Sequence, residues 1–467
     1  MMSRISLIAG ASLVWALGFV WTAAPAASQN RPQVLTFNKD VAPILQKNCE
    51  SCHRPGQIGP FSMTSYKEVR PWARSIKAAV ASRKMPPWFA DGRYGHFDND
   101  RSLAQADIDT IAAWVDGGAA EGNPVDAPPP MKWPEGGFQI QPDVVVDLPP
   151  FPVAATGVYE WINVAIPAPF KEDTWVTSVE ILPGVPAVVH HMCFSTQLRT
   201  PDAPYPYNVY EWVEIPRDEK GDALPELRGT STLREGIVVT RAVGSTEEKR
   251  QKGRSVVPGG NEFCYLPGLP YEDYRPVNAA AFIPAGSDMT VSVHYTANGQ
   301  AVIDRTKIGF TVAQAPPPKR FLPQTGDEFE GAPVMRKSGI ESLAIPPQAH
   351  DYVAPLSVIT AMRDVELVWL RPHAHQRGKS VEYTLIYPDG REEILLAVPR
   401  YNFNWQLTYR TSKMIPKGAR IEVKFSYDNS TANRHNPDPN KWVYYGGQSW
   451  EEMGTPNVGF LVGNNLK

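Results

Sequence analysis

The 467-residue chain has little net charge, little cysteine and, past its first residues, no long apolar run. It carries 46 Lys+Arg against 49 Asp+Glu, a formal charge of -3, with no basic stripe. That balance gives no footing for a nucleic-acid partner. No segment after residue 21 is apolar enough to cross a membrane. There are four cysteines, Cys49, Cys52, Cys193 and Cys264. The first two form a CxxC pair, and the next thiol is so far along the chain that the second half of a zinc site is missing.

Proline and glycine are abundant, at 46 and 35 residues, and short alternating runs recur throughout. Together they predict a large β component with many turns. The length predicts roughly two or three domains. At the start, Arg4, the apolar residues 5–21 and Ala24-Pro25-Ala26 read as a secretory signal over residues 1–26. The apolar stretch is close to spanning length, so an uncleaved anchor is the alternative. Either way the folded part is expected in the periplasm or outside the cell, with no membrane span once the signal is removed. In such a compartment Cys193 and Cys264 are expected to form a disulfide.

Cys49-Glu50-Ser51-Cys52-His53 is a CxxCH motif. It predicts covalent attachment of one haem c through Cys49 and Cys52, with His53 as proximal ligand. Met85, held in Lys84-Met85-Pro86-Pro87-Trp88, is the expected sixth ligand; Met63 and His96 are the alternatives. Helices are expected after an Asn38 cap, over 67–83 and over 103–115. Small helices about a haem resemble the cytochrome c fold, which this reading assigns to residues 31–122. Residues 123–137 are proline-rich and read as a linker.

Two further stretches, 138–315 and 316–467, read as β domains. In the second, His373 and His375 lie one residue apart at the end of the apolar run Val365-Glu366-Leu367-Val368-Trp369-Leu370. On a strand, alternate side chains share a face, so both imidazoles can reach one metal ion. In the first, His190 and His191 are adjacent, and only a bulge or turn lets both serve one ion. His294, in the alternating run Thr290-Val291-Ser292-Val293-His294-Tyr295, could complete a three-nitrogen site for zinc or copper. Met453 adds a soft thioether, which suits Cu(I). The charged segment 201–261 reads as loops.

The phrases VVHHMCF, SVHYT, RPHAHQRGK and WEEM occur in the order and context of the copper type II, ascorbate-dependent monooxygenases. The chain from about Phe138 onward resembles this family of peptidylglycine α-hydroxylating and dopamine β-monooxygenases. The resemblance implies two jelly-roll-like β-sandwiches facing each other across a solvent cleft, one copper ion on each. His190, His191 and His294 would hold an electron-transfer copper; His373, His375 and Met453 would hold an oxygen-activating one. Arg371 resembles the arginine that grips the substrate carboxylate in the peptide-directed members. After Met453 the chain departs from those members, with Gly454, Thr455 and Asn457 in place of a cysteine and substrate-contacting residues.

The fold expected is therefore a small all-α cytochrome c domain followed by two all-β jelly-roll-like sandwiches. The function expected is hydroxylation of a C–H bond of a small organic substrate by O2. Electrons from an external donor would be relayed from the haem through one copper to the other. The competing reading is a haem- and copper-binding electron-transfer or copper-handling module without oxygenase activity.

Overall fold

The computed structural model describes residues 34–467, except 135–136, 158, 160–161, 199–209, 213–231, 235–236, 241–261, 270, 324–327, 330–331, 334, 339–342, 446–448 and 464–467. The expected signal at residues 1–26, and most of the loops expected over 201–261, lie outside the described residues.

Alternation builds the strands. In Ser287–Tyr295 the side chains of Met289, Val291, Val293 and Tyr295 are buried while Thr290, Ser292 and His294 are less so. That is the period-two pattern of a strand with one face on a core. Ile162–Pro167, Ser287–Tyr295, Val189–Leu198 and Glu262–Tyr265 lie in this order within a seven-stranded sheet. A nine-stranded sheet runs in the order Val144–Asp147, Lys307–Val312, Thr174–Leu182, Ala279–Ile283, Lys319–Pro323, Gly454–Gly463, Val365–Ala374 and Tyr409–Ile415, with Tyr271–Asp273 paired to Thr174–Leu182. A six-stranded sheet includes Ser357–Ala361, Arg420–Tyr427, Gly378–Ile386 and Glu392–Val398.

The cores show which sheets face each other. Val164, Met192, Phe194 and Val291 of the seven-stranded sheet pack with Val176, Ile308, Phe310 and Phe321 of the nine-stranded one. Leu367, Leu370, Val458 and Phe460 pack with Tyr383, Leu396, Ile421 and Phe425 of the six-stranded sheet. Both are sheet-on-sheet cores of the sandwich kind.

Here the structure corrects the expected fold class. The two β halves are not separate sandwiches across a cleft. One sheet passes through both, joined where Lys319–Pro323 pairs antiparallel with Gly459–Gly463 of the last strand. Trp369 and Leu461, from the C-terminal half, are buried in the core of the N-terminal half. The small all-α cytochrome c domain is corrected as well. Among the described residues strand outweighs helix, and the α-helices are short: Ala42–Asn48, Tyr66–Val69, Ala73–Ala81 and Gln105–Asp116.

Nor does the helical stretch stand apart. Between its last two helices the chain leaves to dock on the C-terminal sheets. Trp88 and Phe97 are buried in that core, with Trp88 4.9 Å from the Tyr409 ring. Asp91 N–H donates to the Ala397 carbonyl at 2.8 Å, and Asn99 Nδ2 to the Thr408 carbonyl at 2.8 Å. The whole of Leu35–Lys467 is one compact unit. Periodicity sees each helix but not the loop aromatics that stitch it to distant strands. Asn38 also does not cap a helix: Thr36 stands at the N-cap position and Asn38 is buried in the first turn.

Candidate metal centre

His190, His191 and His294 converge through a strand irregularity. In the pairing of Ser287–Tyr295 with Val189–Leu198, Val293 faces Met192 and His294 faces His191, but Tyr295 faces Val189. His190 is thus the extra residue of a β-bulge. Val189 and Met192 both point into the core, three positions apart rather than two. The bulge absorbs the odd residue and leaves His190 and His191 together on the outer face, beside His294. One ring nitrogen from each of the three lies within 4.8 Å of the others. Nδ1 of His190 and Nδ1 of His191 are 3.0 Å apart.

Burial keeps these imidazoles neutral, the state that binds metal. His294 is pushed down to about 4 by burial and then by His190. His191 is held well below the ordinary histidine value by burial, then by the charges of His190, His294, His373 and His375. His190 is lowered by burial too. Two residues beyond His191, Cys193 is the register partner of Cys264, and the two form the expected disulfide.

His373 lies at the end of the strand Val365–Ala374, and His375 directly follows it. His373 pairs in register with Thr455, so Met453 precedes the paired strand by one residue and meets the end of the same ladder. The two imidazoles lie 5.1 Å apart, centroid to centroid. Nδ1 of His373 is 2.7 Å from Gln406 Oε1, and Nδ1 of His375 is 3.3 Å from the Glu451 carbonyl. Both partners are oxygen acceptors, so each Nδ1 carries the proton and each Nε2 keeps a lone pair for a metal.

Sequence reasoning missed the residues that hold these ligands. Glu452 is fully buried, and its carboxylate accepts backbone N–H donors from His375, Arg377 (2.9 Å) and Met453 (3.0 Å). Burial pushes its carboxyl up to about 7. Arg377 is buried with it and donates to Asn429 Oδ1 at 2.9 Å and the Trp450 carbonyl at 2.8 Å. The WEEM phrase contained Glu452, but only the return of the last strand beside His373 gives it that role.

The two sets of histidines share one small space. A cavity of about 10 Å³ is lined by His191, His294, His373, His375, Phe403 and Ser449. The Phe403 ring lies 5.6 Å from His190, 6.3 Å from His294 and 6.0 Å from His375.

The CxxCH residues sit on the loop after Ala42–Asn48. Cys49 and Cys52 are not bonded to each other, and burial pushes the Cys49 thiol up to about 12. His53 Nδ1 lies 3.1 Å from the Phe61 carbonyl, which leaves Nε2 for iron. Gly59 closes the loop so tightly that a Cβ there would fall 2.7 Å from the Cys52 carbonyl oxygen and 2.8 Å from His53 Nδ1. Of the expected sixth ligands, Met85 is half-buried, Met63 is packed in the helical core and His96 is exposed. Arg371 is buried, with its guanidinium over the Trp369 ring at 4.6 Å and 3.9 Å from Glu272. His350 forms a 3.3 Å contact with Asp428.

No protein-family model matches the chain, and no curated protein matches it. Among solved structures, that of the infectious bursal disease virus Gx strain is similar at 10% identity and a TM-score of 0.15, over 71% of this chain and 74% of that one. The N-terminal CBM22-1-CBM22-2 tandem domain from Paenibacillus barcinonensis Xyn10C is similar at 9% identity and a TM-score of 0.14, over 66% and 78%. Likenesses this remote carry no argument.

Proposed function

We propose that this chain is an exported copper-dependent monooxygenase that hydroxylates a C–H bond of a small organic molecule with O2, and that it carries one haem c. The observation that carries this reading is the meeting of two histidine sets, His190/His191/His294 and His373/His375, in one buried pocket with Met453 at the end of the second ladder.

The residues fit copper. Nitrogens 3.0 Å apart, as in His190 and His191, match two metal–nitrogen bonds of about 2.0–2.1 Å meeting at roughly a right angle. Two imidazoles and a thioether form a donor set for Cu(I). The CxxCH loop fits haem: both thiols are unbridged, His53 presents Nε2, and Gly59 leaves the space beside the ring that a side chain would fill. Copper would supply O2 activation and one-electron redox chemistry, and haem would supply electrons singly.

The chain's own residues do the rest. Gln406 and Glu451 hold the His373 and His375 tautomers. Glu452 fastens the His375 and Met453 backbones to one carboxylate. In this reading the CxxCH loop is where electrons enter. Cys52 lies within electrostatic reach of Arg101 and Tyr265. Arg101 lines a small cavity with Leu407 and Thr408, next in sequence to Gln406. Tyr265 pairs with Met192, next to His191. Arg371 enters this reading as an internal cation paired with Glu272. The disulfide fits an oxidising compartment outside the cytoplasm, and no helix among the described residues is long and apolar enough to cross a membrane.

The test is metal analysis of the exported, haem-loaded protein beside His373→Ala and His191→Ala variants, followed by O2 uptake with candidate substrates. Two coppers per haem, one lost in each variant, together with substrate-dependent O2 uptake, is the expected result. Zinc, or no metal beyond iron, overturns it. A second reading, copper handling or electron transfer without oxygenation, is favoured by the size of the pocket, which leaves no room for an organic molecule between the clusters. It requires exchangeable copper and O2 uptake indifferent to every substrate.

A further inference from the structure

We propose that Phe403 is the wall that limits the space between the two histidine clusters to a ligand the size of water or a diatomic gas. A carbon to be oxidised must then approach from outside that space. The inference rests on the copper reading above and adds the class of ligand the shared pocket takes.

The cavity holds about 10 Å³. A single water needs about 10–15 Å³ by the same measure, so nothing larger than one small ligand fits. Four of its six lining residues are imidazoles from both clusters, and the other two are Ser449 and Phe403. Phe403 is the bulky one, and its ring faces His190, His294 and His375 at 5.6, 6.3 and 6.0 Å. It touches both clusters at once.

Phe403 is also held in place. It opens the short turn Phe403–Trp405, capped by Asn402, whose side chain accepts from Asn404 N–H at 3.0 Å. The Asn404 backbone faces the His190 ring. Three residues after Phe403, Gln406 bonds His373 at 2.7 Å. Beyond it the Thr408 carbonyl accepts from Asn99 of the helical stretch at 2.8 Å. One loop of the C-terminal half thus braces ligands of both clusters and carries the ring between them. A fixed apolar wall discriminates by size, while a ligand small enough to fit still meets nitrogen-held metal on either side.

The experiment compares carbon monoxide with tert-butyl isocyanide on the copper-loaded, reduced protein. Carbon monoxide binding is read from its infrared stretch, isocyanide binding by titration, in wild type, Phe403→Leu and Phe403→Ala. Copper content is measured in each. The expected result is carbon monoxide binding in all three. Isocyanide should bind about tenfold or more tighter in Phe403→Ala than in wild type, with Phe403→Leu between. Equal isocyanide binding in all three overturns the wall, as does failure of carbon monoxide to bind copper-loaded wild type. If Phe403→Ala alone loses copper, the Phe403→Leu comparison decides. A wild type that takes up no copper overturns the metal reading itself, which the copper measurement reports separately.

Discussion

Gln406 Oε1 lies 2.7 Å from Nδ1 of His373. One carboxamide from a loop outside the ladder therefore fixes which nitrogen of a strand-borne histidine faces the pocket. Replacing Gln406 with Leu removes the acceptor and keeps the bulk. Metal affinity at His373/His375 should fall about 10–100-fold, the usual cost of losing such a partner, while His190/His191/His294 keeps its metal. Equilibrium dialysis of Gln406→Leu with copper, beside His373→Ala as the zero for that site, measures this.

Glu452→Ala should cost the fold itself. Three backbone donors, on His375, Arg377 and Met453, lose a fully buried acceptor. At about 1–3 kcal/mol for each unsatisfied buried donor, the expected loss is several kcal/mol, moderated by relaxation. Chemical unfolding of the metal-free protein reads it directly. Stability within about 0.5 kcal/mol of wild type would mean the three donors find other partners.

Gly59→Ala tests the haem loop. Its Cβ would lie 2.7–2.9 Å from the Cys52 carbonyl oxygen, His53 Nδ1 and His53 Cα. Two of those atoms are backbone, so the loop must shift as a whole. Covalent haem, measured by its absorbance after denaturing gel separation, should drop sharply against wild type expressed with the same maturation machinery. Undiminished haem would show that the loop opens on attachment.

Glu180 predicts a pH dependence away from the metal centre. Its carboxylate accepts N–H donors from Gln139 and Ile140 at 2.7 and 2.8 Å, and burial raises its pKa from 4.5 to about 7. The folded state therefore holds the proton longer than the unfolded state. This group's contribution to stability is full below pH 4.5 and is lost as pH rises through about 7. Glu180→Gln keeps an acceptor oxygen and removes the charge. It should raise stability at pH 8, by on the order of 2 kcal/mol, and leave it unchanged at pH 4. Thermal melts at the two pH values check the sign.

Chemistry that depends on near neighbours was legible in the sequence. CxxCH, His-x-His and His-His carry their geometry in their spacing, because a strand repeats every two residues and only a bulge or turn brings adjacent histidines to a common face. The bulge at His190 and the pairing of Cys193 with Cys264 are both present.

Which strands become neighbours was decided only by tertiary structure. Lys319–Pro323 and Gly454–Gly463 carry no one-sided alternation, since Phe321 and Leu461 enter one core and Leu322 and Phe460 the other, and an apolar strand face is as willing to meet one partner as another. Nothing local says that these two join a sheet common to both halves. The same holds for Trp88 and Phe97, whose aromatic rings look like helical-segment core and serve the C-terminal core instead. Phe403, Gln406 and Glu452 belong to this class. Each is an ordinary residue in its own stretch. Burial beside histidines far away in sequence is what turns them into a wall, a tautomer lock and a backbone clasp.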